Sequence, residues 1–360
     1  MADTAGRRIL VTGIASDLAT RLAARLEADE RVEYIAGVDV HEPRSPLERT
    51  ELIRGDLRNP LVASVVESSR VDTIVHLWIS AMPGRAGGRS RMKEQNVIGT
   101  MQLLAAAQKS PRLRKLVLKS TTAVYGSHYS DPALFREDIA PDSAHSSGYA
   151  KDAVEVEGHA RAFGHRRPDV ALSILRFANF IGPGVDSPLT RYFALPVAPT
   201  VLGYDPRLQL VHIEDAAAVL ERTTLEDLPG ICNVAGPGIL YLSQAVRLAG
   251  KPWAAVPEPF VHGIADVARR MWGVDFSPEQ LRFLFYGRVG DITRLRRRLG
   301  YEPRYSTGEA FREFLTHHIR PVVDRETAER WETDLGVALT RAYRTAAALC
   351  ARPWTAGSSP

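Results

Sequence analysis

The sequence predicts an α/β fold in which a doubly wound parallel sheet is joined to a smaller C-terminal lobe. Three observations support this prediction. Short β-branched runs alternate with amphipathic stretches from residue 8 to about residue 176, most of these runs are apolar throughout, and a glycine turn follows the first of them. Continuously apolar strands are typical of a parallel sheet, because helices cover both of its faces.

The predicted strands and helices alternate in chain order. The strands are residues 9–12, 34–40, 51–54, 73–77, 115–119 and 171–175. The helices between them include residues 18–30, 92–108 and 149–163. This order is that of a Rossmann-like, doubly wound nucleotide-binding architecture, so residues 8–182 are predicted to form the first domain, with some later strands returning to its sheet.

The chain becomes less regular after Gly182, where repeated prolines interrupt it, and residues 183–320 are predicted to form the smaller lobe. Within it, the segment from Ser277 to Gln280 resembles a capping box that starts a helix. Apolar residues at helical spacing predict a C-terminal helix over residues 321–352, followed by a disordered tail at 353–360. We expect this helix either to pack against the rest of the protein or a second subunit, or to bind a membrane surface through its arginines.

The composition excludes several classes of protein. The 360 residues are 45% hydrophobic and 24% charged, with a formal net charge of +4, which fits an ordinary globular protein without a nucleic-acid partner. The two cysteines, Cys232 and Cys350, lack metal-ligand spacing, so neither a metal site nor a disulfide framework is predicted and a reducing cytoplasm is expected. The N-terminus has no signal-peptide pattern, and no apolar run approaches the roughly 18 residues of an integral membrane segment.

The turn after the first strand predicts a dinucleotide site at Gly13, Ile14 and Ser16. Gly13 lies where the first glycine of such a turn is needed, whereas Ser16 occupies the second glycine position and Ala19 the third. Ser16 has two interpretations, because a serine at a helix start either caps the helix or donates its hydroxyl to a phosphate. Asp39, at the end of the second strand, would accept hydrogen bonds from ribose hydroxyls and repel a 2′-phosphate, which favours NAD over NADP.

Several further motifs occur in a fixed order along the chain. They are Gly55-Asp56-Leu57-Arg58, His76-Leu77-Trp78, Asn96-Val97-Ile98-Gly99-Thr100, Ser120-Thr121-Thr122-Ala123-Val124-Tyr125-Gly126, Arg176-Phe177-Ala178-Asn179-Phe180-Ile181-Gly182-Pro183, Val211-His212-Ile213-Glu214-Asp215 and Asn233-Val234-Ala235-Gly236. With the glycine turn, they make residues 8–318 resemble an extended short-chain dehydrogenase/reductase of the NAD-dependent epimerase/dehydratase family, the group that contains UDP-glucose 4-epimerase.

The resemblance implies roles for particular residues. Thr121 and Tyr149 take the places of the catalytic hydroxyl and the general acid/base. The other implied residues bind the cofactor NAD (Asp56, Leu57, Leu77, Trp78 and Asn96, with Tyr149) or a nucleotide-sugar-like substrate (Thr122, Asn179 and Arg207). The family also implies a homodimer. Trp78 replaces a residue that is small in the family.

The helix that begins near Tyr149 departs from the family at its catalytic lysine. The family places a lysine four residues after the tyrosine, and this chain has Ala153 there. Lys151 cannot replace it, because position i+2 lies about 160° around the helix from the tyrosine, whereas i+4 lies about 40° away. Lys119 lies on the same side of its strand as Thr121, and it either supplies the missing cation or extends its amine to solvent.

Two functions are therefore compatible with the sequence. The first is an NAD-dependent epimerase or dehydratase acting on a nucleotide-sugar-like substrate. The alternative is a non-catalytic regulatory or scaffold protein of the same fold that binds NAD or a nucleotide sugar, since Ser16 and Ala153 both depart from the catalytic pattern.

Overall fold

A seven-stranded parallel sheet forms the centre of the molecule. The computed structural model describes residues 6–82, 88–142, 147–261, 263 and 278–318. From one edge of the sheet to the other, its strands are Gly230–Val234, Ala171–Phe177, Lys115–Thr121, Thr73–His76, Arg7–Thr12, Val32–Asp39 and Thr50–Arg54. All neighbouring strands in this sheet run parallel. The predicted α/β class with a doubly wound parallel sheet is confirmed, and a late strand of the chain does return to it as an edge.

The strands follow the apolar runs of the sequence. They are β1 Arg7–Thr12, β2 Val32–Asp39, β3 Thr50–Arg54, β4 Thr73–His76, β5 Lys115–Thr121, β6 Ala171–Phe177, β7 Asn179–Ile181, β8 Ala198–Val201, β9 Arg207–Leu208, β10 Leu210–His212, β11 Gly230–Val234, β12 Leu240–Tyr241 and β13 Trp253–Val256. The helices are α1 Asp17–Glu27, α2 Leu61–Ser68, α3 Gly88–Lys93, α4 Gly99–Lys109, α5 Gly148–Arg166, α6 Pro188–Ala194, α7 Ile213–Leu225, α8 Leu242–Leu248, α9 Pro278–Tyr286, α10 Thr293–Arg297 and α11 Thr307–His318.

Alternate residues of each strand point to opposite faces of the sheet, and helices cover both faces. Val11 and Val117 lie in one core cluster with residues of α1 and α7. Leu10 and Leu116 lie in another, with residues of α2 and α4. Helix α5 packs Val156 and Ala160 against the second face near the carboxyl ends of β5 and β6.

The predicted helix over residues 92–108 is not continuous. Its place is taken by α3, a π-helical turn at Glu94–Ile98, and α4. A π turn widens the helix by one residue and is frequently found at functional sites. Here it contains Asn96, whose contacts are described below.

Three two-stranded sheets lie outside the central sheet: β7-β10, β8-β13 and β9-β12. All of their strands except β7 belong to the predicted lobe, residues 183–320. A separate apolar core brings together α6, α8, α9 and α11 around aromatic residues such as Phe193 and Phe311. The helix predicted from the capping box is present as α9. The predicted C-terminal helix at 321–352 and the tail at 353–360 lie outside the described residues.

The strand order positions a crevice. It reverses between β1 and β4, and in open α/β sheets ligands bind outside the carboxyl ends of the strands at such a switch point. Thr12, His76, Thr121 and Phe177 end the four central strands at this edge. Among the described helices, none is both long and apolar enough to cross a bilayer.

Candidate functional site

The glycine turn joins β1 to α1 directly beside the neighbouring strand. Gly13 has φ +76, and a Cβ at that position would lie 2.9 Å from the Cα of Trp78. Its amide donates to the carbonyl of Val38 at 2.8 Å, and Ile14 is buried with its amide directed at the same oxygen. A side chain at Gly13 would therefore push the first and fourth strands apart, in addition to adopting a strained backbone.

Ser16 caps helix α1. Its hydroxyl donates to the Gly13 carbonyl at 2.8 Å and accepts from the amide of Ala19 at 3.4 Å, while the residue as a whole is exposed. Of the two interpretations of Ser16, the structure therefore shows the helix cap. The amides of Asp17 and Leu18 in the first turn have no intrahelical acceptor, and they are the donors that this helix start can offer to a phosphate.

Two carboxylates lie where the second and third strands end. Asp39 is buried and accepts hydrogen bonds from the amides of Ala15 at 3.2 Å and His41 at 3.0 Å, and burial raises the pKa of its carboxyl. Asp56 forms an ion pair with Arg58 at 2.6 Å, and this hydrogen-bonded pair lowers the pKa of Asp56. Asp39 thus ties the second strand to the glycine turn, while Asp56 is engaged by its own neighbour.

A hydrogen-bonded chain lies beneath the switch point. His76 Nδ1 lies 2.7 Å from Thr12 Oγ1, and His76 Nε2 lies 2.8 Å from Thr100 Oγ1. Because the Thr100 hydroxyl donates to the carbonyl of Asn96, the Nε2 atom of His76 carries the ring proton and Nδ1 accepts. Burial lowers the pKa of His76 to about 3, so this ring stays neutral.

The three predicted cofactor residues Leu57, Leu77 and Trp78 are all buried. Leu57 and Trp78 belong to the same core cluster, together with Val38. Leu77 lies in the cluster on the other face of the sheet. The indole of Trp78 therefore packs into the apolar core on the α2 and α4 side.

Asn96 connects the end of β4 to the start of α5. Its Oδ1 accepts from the amide of Ser80 at 2.9 Å, and its Nδ2 donates to the Ser80 carbonyl at 3.0 Å and to Asp152 at 3.1 Å. Asp152 is completely buried and forms a bidentate ion pair with Arg89, at 2.6 and 2.8 Å. Arg89 also donates to the carbonyl of Gly148 at 2.5 Å, so Asn96, Asp152 and Arg89 fix the residue before Tyr149.

Sequence reasoning missed the pair of Arg89 and Asp152. The acidic residue three positions after Tyr149 was the available signal, because a carboxylate on the buried side of a helix needs a partner.

Thr121, Tyr149 and Asn179 line one cavity between the sheet and the lobe. The cavity lies at the carboxyl ends of the strands, and the lobe closes it with residues from α6 and α9. Among the described residues, its lining is Ala81, Thr121, Ala123, Tyr149, Asn179, Pro188, Leu189, Tyr192, Gln280, Phe283, Leu284 and Arg288. Thr121 Oγ1 also accepts from the amide of Ala123 at 3.1 Å, which fixes the hydroxyl at the end of β5.

The other two predicted substrate residues are not part of this lining. Thr122 is buried in the 3₁₀ turn that follows β5. Arg207 is half-buried, and its carbonyl oxygen accepts a hydrogen bond from the amide of Arg288 at 3.1 Å.

Arg288 itself lines the cavity, donates to the Gly126 carbonyl at 3.0 Å and stacks over Phe283. Sequence reasoning selected Arg207 and missed Arg288, because only the pairing of two distant segments brings Arg288 to the cavity.

The methyl group of Ala153 points into an apolar cluster. Ala153 is buried with Val124, Tyr125 and Phe135, directly under the turn that follows Thr121. Lys151 is exposed, in agreement with its position on the opposite side of the helix. Neither residue brings a cation to the cavity.

Two lysines lie on one face of β5 in contrasting surroundings. Lys115 is fully buried, donates to the carbonyls of Thr224 and Glu226 at 3.0 and 2.7 Å, and pairs with Asp227 at 2.8 Å. Lys119 is half-buried, and within the described part of the chain it forms neither a hydrogen bond nor an ion pair. Burial lowers the pKa of the Lys119 ammonium to about 8.

Comparison with known proteins agrees with this geometry. A model of the NAD dependent epimerase/dehydratase family matches residues 9–235. An uncharacterized protein of Mycobacterium tuberculosis is 42% identical over 329 residues, which cover 90% of this chain and 88% of that relative.

Solved structures share the fold. The dTDP-glucose 4,6-dehydratase of Bacillus anthracis, in complex with NAD, superposes with a TM-score of 0.66 at 18% identity, over 87% of this chain and 96% of its own. The UDP-glucuronic acid 4-epimerase of Bacillus cereus, in complex with NAD, gives 0.65 at 18% identity, over 86% and 97%. The extent of the family match and the identity to the mycobacterial relative show that the chain belongs to the NAD-dependent epimerase/dehydratase family.

Proposed function

We propose that this protein is an enzyme that interconverts or dehydrates a nucleotide-sugar-like substrate by NAD-dependent, reversible hydride transfer. The observation that carries the proposal is the convergence of Thr121, Tyr149 and Asn179 on one cavity, at the edge of the sheet where the strand order reverses. The family and the NAD complexes of the two similar structures support the same reaction type.

The residues around the switch point fit the cofactor. Gly13 has the positive φ that the turn requires, the first-turn amides of α1 provide donors for a pyrophosphate, and Asp39 keeps lone pairs for the ribose hydroxyls beside its two amide contacts. A carboxylate there would repel a 2′-phosphate, so we propose NAD and not NADP. When bound, NAD supplies the acceptor and donor of hydride.

Within the cavity, the two hydroxyls divide the proton chemistry. Tyr149 would accept the proton of the substrate hydroxyl that becomes a carbonyl and return it in the reverse direction. Thr121, fixed by its bond with the Ala123 amide, would donate to the same substrate oxygen. Asn179 and Arg288 would hold the phosphates, Arg288 through its guanidinium, and Arg207 stays a predicted phosphate contact that acts next to it.

The alternative, a non-catalytic binding protein, is favoured by specific observations. Asn96 has its side-chain amide bound to Ser80 and Asp152, and Ala153 packs as a core residue. Such a protein would bind NAD or a nucleotide sugar and leave it unchanged.

The first experiment is mass spectrometry of the protein as purified, followed by calorimetric titration with NAD and NADP. The second is a turnover assay with a panel of UDP- and dTDP-sugars, in which Tyr149→Phe is expected to lower the rate by about 10²- to 10⁴-fold. Tyr129→Phe, which alters an exposed tyrosine, is the matched control and should retain the rate. NAD binding without any turnover would favour the binding protein, and no binding of either ligand would contradict both functions.

The homodimer and the cytoplasmic location stay predictions. Light scattering after size-exclusion chromatography tests the first, and fractionation of the source cells tests the second.

A further inference from the structure

The peptide group that joins Gly148 to Tyr149 is held from outside helix α5. Its carbonyl oxygen accepts a hydrogen bond from Arg89 of α3 at 2.5 Å. Ser147, which precedes the helix, gives it no side-chain cap in the part of the chain that the structure describes. Arg89 therefore fixes the first turn of α5 at the residue where the chain reaches the cavity.

A second peptide group at the cavity is held in the same way. The Ser80 carbonyl, directly before Ala81, accepts from Asn96 Nδ2 at 3.0 Å, and the Ser80 amide donates to Asn96 Oδ1 at 2.9 Å. Ala81 lines the cavity beyond the end of β4, next to the switch point of the sheet. Asn96 lies in the π turn, a feature that is frequently found at functional sites.

Asp152 connects these two contacts. Its carboxylate is completely buried, pairs with Arg89 at 2.6 and 2.8 Å, and accepts from Asn96 at 3.1 Å. Asp152 lies three residues after Tyr149, about 60° around the helix, so the two side chains are neighbours on the surface of α5. Arg89, Asp152 and Asn96, together called the clamp, thus link α3, the π turn and α5 between Tyr149 and Ala81.

An ion pair further along α5 offers a comparison, because it resembles the clamp without reaching the cavity. Arg161 pairs with Glu157 at 2.9 Å, and the Glu157 carboxylate is also completely buried. The arginine side chains are similarly exposed, 40% for Arg89 and 36% for Arg161. Glu157 lies eight residues after Tyr149, about 12 Å along the helix, and among the described residues it is no part of the cavity lining.

We propose that the clamp sets the spacing between Tyr149 and the end of β4, and that Arg89 and Asp152 are positioning residues for the reaction. The reacting carbon has to lie near the end of β4 while its hydroxyl meets Tyr149, and a misplacement of about 1 Å can lower a rate by about 10²-fold. The inference rests on the proposed function, because this spacing affects a rate only if Tyr149 exchanges protons with a substrate. Arg89 has a second effect, since it neutralises a buried carboxylate that would otherwise oppose a phenolate at Tyr149.

The test combines a spectroscopic and a kinetic comparison of Arg89→Met with the matched control Arg161→Met. In protein labelled with ¹³C at the tyrosine ring carbon Cζ, the NMR signal of Tyr149 is identified by its loss in Tyr149→Phe. We expect Arg89→Met to shift or broaden this signal and Arg161→Met to leave it unchanged. In the turnover assay with UDP- and dTDP-sugars, Arg89→Met should lower kcat about 10- to 100-fold while KM changes by less than about twofold, and Arg161→Met should retain kcat.

A double variant, Arg89→Met with Asp152→Ala, separates positioning from stability and serves if Arg89→Met fails to fold. It removes the unpaired buried charge, so its denaturation midpoint should be higher than that of Arg89→Met. The Gly148 carbonyl still lacks the Arg89 donor, so the Tyr149 signal should stay displaced and kcat should stay low.

Three outcomes would overturn the inference. They are an unchanged Tyr149 signal and kcat in either folded variant, equal changes in Arg161→Met, and full recovery of signal and kcat in the double variant. The NMR comparison needs neither NAD nor substrate. A failure of the proposed function, seen as no NAD binding and no turnover by the wild-type protein, is therefore measured separately from a failure of the clamp to hold Tyr149.

Discussion

The two ends of strand β5 treat the same residue type in opposite ways. At the amino end, Lys115 is fully buried and its amine is surrounded by two carbonyls and Asp227. At the carboxyl end, on the same face, Lys119 has no such partner among the described residues, although burial lowers its pKa to about 8. The protein thus provides partners for the amine of Lys115 and none, among the described residues, for the amine of Lys119.

The difference between the two lysines is not explained by their positions along β5, because a polar residue on the opposite face of the same carboxyl end does have a partner. Ser120, the next residue along β5, donates to Glu157 of α5 at 2.6 Å. Glu157 also forms a buried ion pair with Arg176 of β6, at 2.7 and 2.9 Å. The carboxyl end of β5 is therefore firmly connected to α5 on the face opposite to Lys119.

The largest expected effect comes from breaking the completed face. Glu157→Ala would leave the guanidinium of Arg176 buried without a carboxylate, and removal of one partner of a buried pair costs about 3–5 kcal/mol in the free energy of unfolding. Denaturant unfolding followed by circular dichroism measures it. Glu155→Ala, on the same helix, removes a carboxylate that is about one-third exposed and should cost less than about 1 kcal/mol. Equal losses in the two variants would mean that the buried pair does not organise this end of β5.

Much of this architecture is readable in the sequence, because it depends on local patterns. Strand β5 was expected from its apolar run, and Thr121 and Tyr149 from ordered motifs on either side of it. The pair of Arg89 and Asp152 joins residues 63 positions apart, and Arg288 reaches the cavity from a lobe without regular periodicity. Such contacts depend on how irregular segments pack in three dimensions, and no residue spacing encodes that. The π turn at Glu94–Ile98 could not be predicted from the sequence either, because its apolar spacing closely matches that of an ordinary α-helix.

The second expected effect tests the amino end of β5. Lys115→Met would leave the carbonyls of Thr224 and Glu226 without their donor, while Asp227 is exposed enough to be solvated by water. A loss of about 1–3 kcal/mol is expected, the usual cost of an unsatisfied buried polar group. The same unfolding experiment measures it, with exposed Lys109→Met as the control. An unchanged or increased free energy of unfolding would show that the amine of Lys115 stabilises the fold no more than that of Lys119 does.

The third effect is expected to have the opposite sign. Lys119→Met replaces a half-buried, unpartnered ammonium with an apolar side chain of similar length, and should raise the free energy of unfolding by roughly 1–2 kcal/mol at neutral pH. A loss of stability as large as that of Lys115→Met would show that Lys119 is a structural residue and that the two ends of β5 are alike.

The smallest effect is a dependence of stability on pH that belongs to Lys119 alone. Because its pKa falls from 10.5 to about 8 in the folded protein, the unfolded chain binds more protons between these two pH values. Below this window the buried ammonium lowers the free energy of unfolding by its full penalty, and the penalty disappears as the pH rises from about 8 to 10.5. Lys119→Met removes that penalty, so its advantage over the wild-type protein should be full at pH 7 and shrink as the pH approaches 10. Denaturation midpoints of both proteins, measured at closely spaced pH values, give the difference directly, because the contributions of all other titrating groups cancel between the two proteins. Two curves that stay parallel from pH 7 to 10 would mean that the amine of Lys119 is solvated in the folded protein, and that the carboxyl end of β5 is as complete as its amino end.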